Sequence, residues 1–282
     1  MSIKGASAGR GMTGKGDRMR VISLAAACLG TCLSLSAEPR IWTDAEGVRF
    51  QGTYRKELLG GVQVKDLKGG THLIRMEQLS EADLDYMAHH VPPEVDAKVD
   101  SETRLLPKTE WSSPDDDTTV YTFTVTIEKT SKLPFKGQLS AELFVVANER
   151  SVESKEHLVL MRRNKINIVF PEDKEAFFEF SFPGIPFEAY NARWILLPKA
   201  AKRGKTYLGY IVCVSDSTGH ILFCDTDISG VKWLTDDLQL SMEKLRELSI
   251  DHPGSAENRH FNDSFRRISP PRIPWFQRQN HD

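Results

Sequence analysis

Apolar positions in the stretch from residue 40 to residue 90 recur two apart in short runs. Ile41, Trp42, Phe50 and Tyr54 flank Asp44-Ala45-Glu46-Gly47, which predicts an opening hairpin. Val62, Val64 and Leu67 alternate with polar residues up to Lys68-Gly69-Gly70, and a further run covers 71–76. Period-two alternation bounded by glycine-rich turns marks short strands with one buried face. The period then changes. Ser80 and Asp83 have the spacing of a capping box, and Leu84 and Met87 share one face of a single short helix.

Residues 91–103 contain Pro92-Pro93 and little that is apolar, and read as a linker. A second module starts near Arg104. Tyr121, Phe123, Val125 and Ile127 alternate with threonines, while Leu139, Ala141, Leu143 and Val145 alternate less strictly with Ser140, Glu142 and Phe144. The runs 158–161, 166–170 and 178–182 continue the series, 192–197 is a candidate addition, and 207–215 with 221–225 closes it as a hairpin. About seven strands without any β–α–β rhythm predict an antiparallel, immunoglobulin-like β-sandwich over 104–250. Thr235-Asp236-Asp237 then caps a helix whose Leu238, Met242, Leu245 and Leu248 share the face that lies on the sandwich. Past Pro253, arginines interleave with Phe261, Phe265, Trp275 and Phe276 and with prolines, so 251–282 reads as a flexible basic and aromatic tail.

Arg40-Ile41-Trp42-Thr43-Asp44, a glycine turn, two alternating strands and the ending Gln78-Leu79-Ser80-Glu81-Ala82-Asp83 resemble the SLA-one homology domain. The resemblance covers residues 39–90 and implies a small SH3-like barrel of the kind found after signal peptides in bacterial exported proteins. In a eukaryotic endocytic adaptor such a domain binds short Asn-Pro-Phe peptides, so the resemblance implies a binding module. No residue of this chain is assigned to a peptide-binding surface from it. The expected class is therefore mostly β, a small SH3-like barrel followed by a sandwich with a C-terminal helix.

Composition and charge change the picture mainly at the N-terminus. Residues 1–37 hold Lys4, Arg10, Lys15, Arg18 and Arg20 against Asp17, so the remainder is more acidic than the formal −2 of the whole chain. An acidic remainder argues against general nucleic-acid binding, which relies on Lys and Arg neutralising phosphates. Arg18-Met19-Arg20, the uncharged run 21–37 and the small residues around Ala37 have the layout of a secretory signal peptide, with the mature chain expected to begin near Ala37 or Glu38. The run is shorter than the ~20 apolar residues that a membrane span requires. Met19 is an alternative start, and Leu29-Gly30-Thr31-Cys32 imperfectly matches a lipobox, which keeps lipid attachment as an alternative.

Export would remove Cys28 and Cys32 and leave Cys213 and Cys224 in an oxidising compartment. Asp216-Ser217-Thr218-Gly219 suits a type I turn with Gly219 left-handed, so that Asp216 faces His220. Counting outward sets Cys213 opposite Phe223 and Val212 opposite Cys224, which puts the sulfurs on different faces and predicts two free thiols. A one-residue change of register reverses that expectation.

Motifs with chemistry are weak. Gly9-x-x-x-x-Gly14-Lys15 has Gly16 where a phosphate loop needs Ser or Thr. Ser241-x-x-Lys244 has the spacing of some acylating enzymes, but Ser215-Asp216-Ser217 and Gly204-Lys205-Thr206 do not supply the partner motifs. His89-His90 and Glu156-His157 lack zinc spacing. Asp115-Asp116-Asp117 and Asp225-Thr226-Asp227 offer a few oxygens where calcium wants six or more. Lys199, Lys202, Arg203 and Lys205 read as a basic loop able to meet an anionic envelope polymer, with a solvated loop as the plainer reading. These observations lead to an exported, non-catalytic interaction or structural protein with an unknown protein or polymer partner. Catalytic, cofactor and metal residues are expected to be none, and an envelope enzyme with a loop-assembled site is the alternative.

Overall fold

The computed structural model describes residues 39–43, 47–108, 117–133, 135–150, 156–170, 177–192, 201–248 and 259–270. Strands β1 (Arg40–Thr43), β2 (Arg49–Leu58), β3 (Gly61–Asp66) and β4 (Thr71–Arg75) form an antiparallel meander in chain order. Their inner face buries Trp42, Val62, Val64 and Ile74 against Met87 of helix α1 (Glu81–His90). The β3–β4 turn is held by the Asp66 carboxylate, which accepts from the backbone N–H groups of Lys68 (2.9 Å) and Gly70 (2.7 Å). Helix α1 starts where the spacing predicts: Asp83 N–H donates to Ser80 Oγ at 3.1 Å, and the Asp83 carboxylate reaches back to the Ser80 N–H.

The remaining strands are β5 (Val95–Leu105), β6 (Asp117–Lys129), β7 (Leu139–Arg150), β8 (Glu156–Ile168), β9 (Phe177–Ser181), β10 (Ile185–Ala192), β11 (Ala201–Asp216), β12 (Ile221–Thr226) and β13 (Arg259–Phe261). They form one antiparallel hydrogen-bonded path, β13-β8-β7-β11-β10-β6-β5, with β12 added to β11 and β9 to β6. The path doubles back at β10, which pairs with β6 over Ile185–Ala189 and with β11 from Ala189 to Ala192. Two layers result, enclosing Phe123, Val125, Leu143, Val145, Met161, Val212 and Phe187. Helices α2 (Lys232–Thr235) and α3 (Leu238–Leu248) cover the other face of the β7–β11 layer, where Phe144, Val146, Leu160 and Ile211 meet Leu234, Met242 and Leu245.

β7 is thus covered on both sides, and every residue from Leu139 to Ala147 is buried. A strand buried on both faces has no need of alternation, which accounts for its irregular pattern. The molecule is mostly β and antiparallel, a sandwich followed by a helix. The face of α3 is the expected one, with Met242, Leu245 and Leu248 buried, and Asp237 Oδ1 accepts the Leu240 N–H at 2.9 Å at its start.

Several expectations are corrected. Residues 91–103 are not a linker, since most of them form β5, paired with β6 along its length. Val95, Ala97 and Val99 pack on the core while Asp96, Lys98 and Asp100 point to solvent, and an edge strand of this kind is charged by design against aggregation. The two modules are also joined by packing. Leu133, between β6 and β7, is buried in the core of the four-stranded unit, while Ser131 Oγ and Lys132 N–H donate to Glu57 at 2.9 and 3.2 Å. The tail is not wholly free of the core: β13 pairs with β8, Arg259, His260 and Phe261 are buried, and Phe261 stacks on Phe265 at 6.0 Å between ring centroids. Residues 251–258 and 271–282 lie outside the described residues.

The cysteines are corrected as well. The loop is as expected, with Asp216 N–H donating to His220 O at 3.0 Å and Gly219 at φ +88°. One step further out, Ser215 pairs with Ile221 but Val214 pairs with Phe223, so Leu222 is an extra residue in the ladder. Cys213 therefore stands opposite Cys224, and the two form a disulfide.

Candidate functional site

Perturbed side chains gather where β11 and the end of β12 meet the inner layer. β11 carries an extra residue at Leu208, because Tyr207 pairs with Ala147 and Gly209 with Val146. That bulge lets Tyr207 and Tyr210 both face the core between the layers. Asp227 closes the group: its Oδ1 accepts the Tyr210 N–H at 2.6 Å and its Oδ2 accepts the Tyr207 hydroxyl at 2.7 Å. Gly209 makes the approach possible, since a Cβ there would lie 2.6 Å from Asp227 Oδ1 and 2.5 Å from Ile228 Cγ1. Tyr121 stacks on Tyr207 at 4.6 Å and Phe187 meets Tyr121 edge-on at 4.9 Å.

Burial pushes the Tyr207 and Tyr210 hydroxyls up, and the Asp227 carboxylate adds to it. Burial also raises the Asp227 carboxyl, opposed by the bonds from Tyr210 and Tyr207. Tyr121 is raised by burial, and Tyr54 in the small unit is pushed up to about 12 by burial and then by Glu57 and Glu94. Such perturbation in a cleft is a reason to look for chemistry. Here both Asp227 oxygens already accept hydrogen bonds from β11, so the group clasps the β12 end to β11.

A second polar group lies across β7. Glu142, 1 % exposed, accepts from Arg163 Nη2 of β8 at 2.6 Å and from Arg246 Nε of α3, which ties the helix to the sheet. On the small unit, the Arg40 guanidinium pairs with Asp83 at 2.6 Å and lies over the rings of Trp42 (4.9 Å) and Tyr86 (4.4 Å), tying β1 to α1.

The structure separates the residues singled out by motif. Ser241 is buried on α3 at 1 % exposure, and Lys244, on the next turn, donates to Glu247 at 3.0 Å. His89 and His90 sit at the exposed end of α1, each ring Nδ1 bonded to the carbonyl of the residue four earlier. Of the acidic stretches, Asp227 is the clasp just described, and Asp115 and Asp116 lie outside the described residues, as do Gly9 to Gly16 and Lys199. The basic loop is corrected: Arg203 and Lys205 belong to β11, and Arg203 is 4 % exposed. Arg203 also lines a shallow cavity of about 190 Å³ with Asn148, Arg150, Gly204 and Thr206. Among the described residues no group of three potential metal ligands is found.

The feature that motif reading missed is a surface. By strand register, Ile41, Arg49, Gln51, Thr53, Lys56, Gln63, Lys65, Thr71, Leu73 and Arg75 lie on the face of the four-stranded sheet opposite Trp42 and Val64. Ile41 is 64 % exposed and Leu67, just past the end of β3 in the same row, 65 %, while Leu73, two rows further along the face, is 48 % exposed. The same alternation that buries Trp42, Val62 and Val64 sends these residues to the opposite face.

No family model and no curated protein matches the chain. Among solved structures, a protein from Akkermansia muciniphila is similar at 11% identity, with 50% of this chain and 75% of that one covered and a TM-score of 0.23. A structural-genomics consortium target is similar at 12% identity over 47% of this chain and 86% of that one, with a TM-score of 0.20. Likenesses this slight carry no argument about function.

Proposed function

We propose that this chain is an exported, non-catalytic binding protein of the bacterial cell envelope. The observation that carries the proposal is the outer face of the four-stranded sheet, where Ile41, Leu67 and Leu73 are exposed among polar and basic side chains. Large aliphatic side chains held in water on a face that also carries Arg49, Lys56 and Lys65, with no carboxylate from the four strands, favour a partner that meets both kinds of group. The order of the small unit, a meander, a short 3-10 turn and a capped helix, supports its reading as an SH3-like domain of the SLA-one homology kind. Export is supported by the basic and then apolar layout of residues 18–37 and by a disulfide between Cys213 and Cys224, a bond that persists in oxidising compartments.

The alternative, an envelope enzyme, has the raised pKa values of Asp227, Tyr207 and Tyr210 in its favour. Their use as a clasp weighs against it. Fractionation of the native host with terminal sequencing tests the export half of the proposal. A mature chain beginning near Ala37 or Glu38 in an envelope fraction is expected, and a cytosolic chain retaining residues 1–30 overturns it.

A further inference from the structure

We infer that the outer face of the four-stranded sheet docks on an anionic phospholipid surface. This inference rests on the binding reading above and names the partner of that same face. The register lays the face out in rows. Ile41 is opposite Gln51, whose carbonyl accepts the Leu67 N–H at 3.3 Å; Thr53, Lys65 and Thr71 follow; then Lys56, Gln63 and Leu73. Arg49, Lys56 and Lys65 are exposed, and no Asp or Glu in the four strands falls on this side. Arg75 has Glu77 beside it at 3.6 Å and is left out of the cationic set. The acidic side chains Glu81, Asp83 and Asp85 belong to α1, which packs on the opposite face. The outer face therefore carries cations and aliphatic groups with no carboxylate from the four strands, while Arg40 on the other side is paired with Asp83.

That mixture selects the partner. A soluble acidic polymer would neutralise the cations but leave Ile41, Leu67 and Leu73 in water. An apolar protein surface would cover the aliphatic groups and strand the cations without counter-charge. A headgroup layer answers both, because phosphates meet Arg and Lys while short aliphatic side chains enter the acyl boundary. The cavity lined by Asn148 and Arg203 lies on the sandwich instead.

The test is co-sedimentation of the full mature chain with vesicles of phosphatidylcholine alone and with added phosphatidylglycerol, at low and high salt. Binding is expected only with phosphatidylglycerol, weakening as salt screens the charges. Arg49→Gln/Lys56→Gln/Lys65→Gln is expected to lower the partition coefficient on the order of 100-fold, at roughly fivefold per cation. Ile41→Ser/Leu67→Ser/Leu73→Ser should weaken it as well, and because the six positions are exposed, both variants should melt like the parent. No binding by the parent, or equal binding by the variants, overturns the inference. So does a parent that ignores vesicles but uses this face to bind an Asp- and Leu-rich peptide or a second copy of itself, an outcome that leaves the binding reading standing.

Discussion

Cys213 and Cys224 face each other across β11 and β12 with Cα atoms 4.2 Å apart, because Leu222 adds one residue to the ladder between the loop and the pair. The bridge closes a short loop, the cysteines being 11 residues apart in sequence. A loop of that size restricts the unfolded chain by about 3 kcal/mol. Alkylation of the denatured, unreduced protein should therefore label neither residue, and Cys213→Ala/Cys224→Ala should lower unfolding stability by about 2–3 kcal/mol in urea titrations. Two labelled thiols would restore the unbulged register.

Gly209 and Asp227 depend on each other. Gly209→Ala places a methyl group 2.5–2.9 Å from Ile228 and Asp227, so it should cost about 1–3 kcal/mol by overpacking. Tyr207→Phe keeps the ring stack on Tyr121 and removes one hydrogen bond, and should cost about 1 kcal/mol. Chemical denaturation of both variants checks the order, with the glycine change the larger.

The same cluster sets a pH dependence. Tyr207 and Tyr210 ionise higher in the folded protein than the ordinary 10.0, so their contribution is complete below pH ~10 and is lost as pH rises beyond it. Asp227 is raised too, so ionising it works against folding as pH rises from the ordinary carboxylate range, near 3.8. Melting temperature should fall above pH ~10, less steeply for Tyr207→Phe, as tyrosinate absorbance grows. An unchanged slope in that variant would show that Tyr207 is not one of the groups responsible.

Glu142 is the buried member of its group, its side chain 1% exposed against 23% for Arg163 and 24% for Arg246. Removing the carboxylate leaves two cations able to rehydrate, whereas removing both arginines strands a buried charge. Arg163→Met/Arg246→Met should thus cost about 3 kcal/mol, clearly more than Glu142→Met, in equilibrium unfolding. The reverse order would mean that the arginines, not Glu142, carry the desolvation.

What was legible in the sequence follows from how local each signal is. The Ser80–Asp83 capping box, the Asp216–Gly219 loop and the apolar face of α3 are set by residues within a few positions of one another, and each forms as expected. The bulge at Leu222 is hidden because Ile221, Leu222 and Phe223 are all apolar, so a slip of one residue leaves no mark in the pattern. β5 looked like a linker because an edge strand shows its charges to water. β13 looked like a tail because its polar residues are satisfied from afar: Arg259 donates to the Leu248 carbonyl, and the His260 ring bonds Glu149, 111 positions away. The clasp was half visible, since Asp227 stood out as a metal candidate while its partners Tyr207 and Tyr210 lie across a hairpin.

The claim that this is a binding protein using the outer sheet face is tested most directly by a photo-crosslinking residue in intact host cells, placed at Leu67 or, as control, at Leu240. Both positions are exposed, at 65 % and 47 %, but Leu240 lies on α3, away from the sheet. An adduct carrying phospholipid mass is expected at position 67 and none at position 240. No adduct at 67, or equal adducts at both positions, would contradict it.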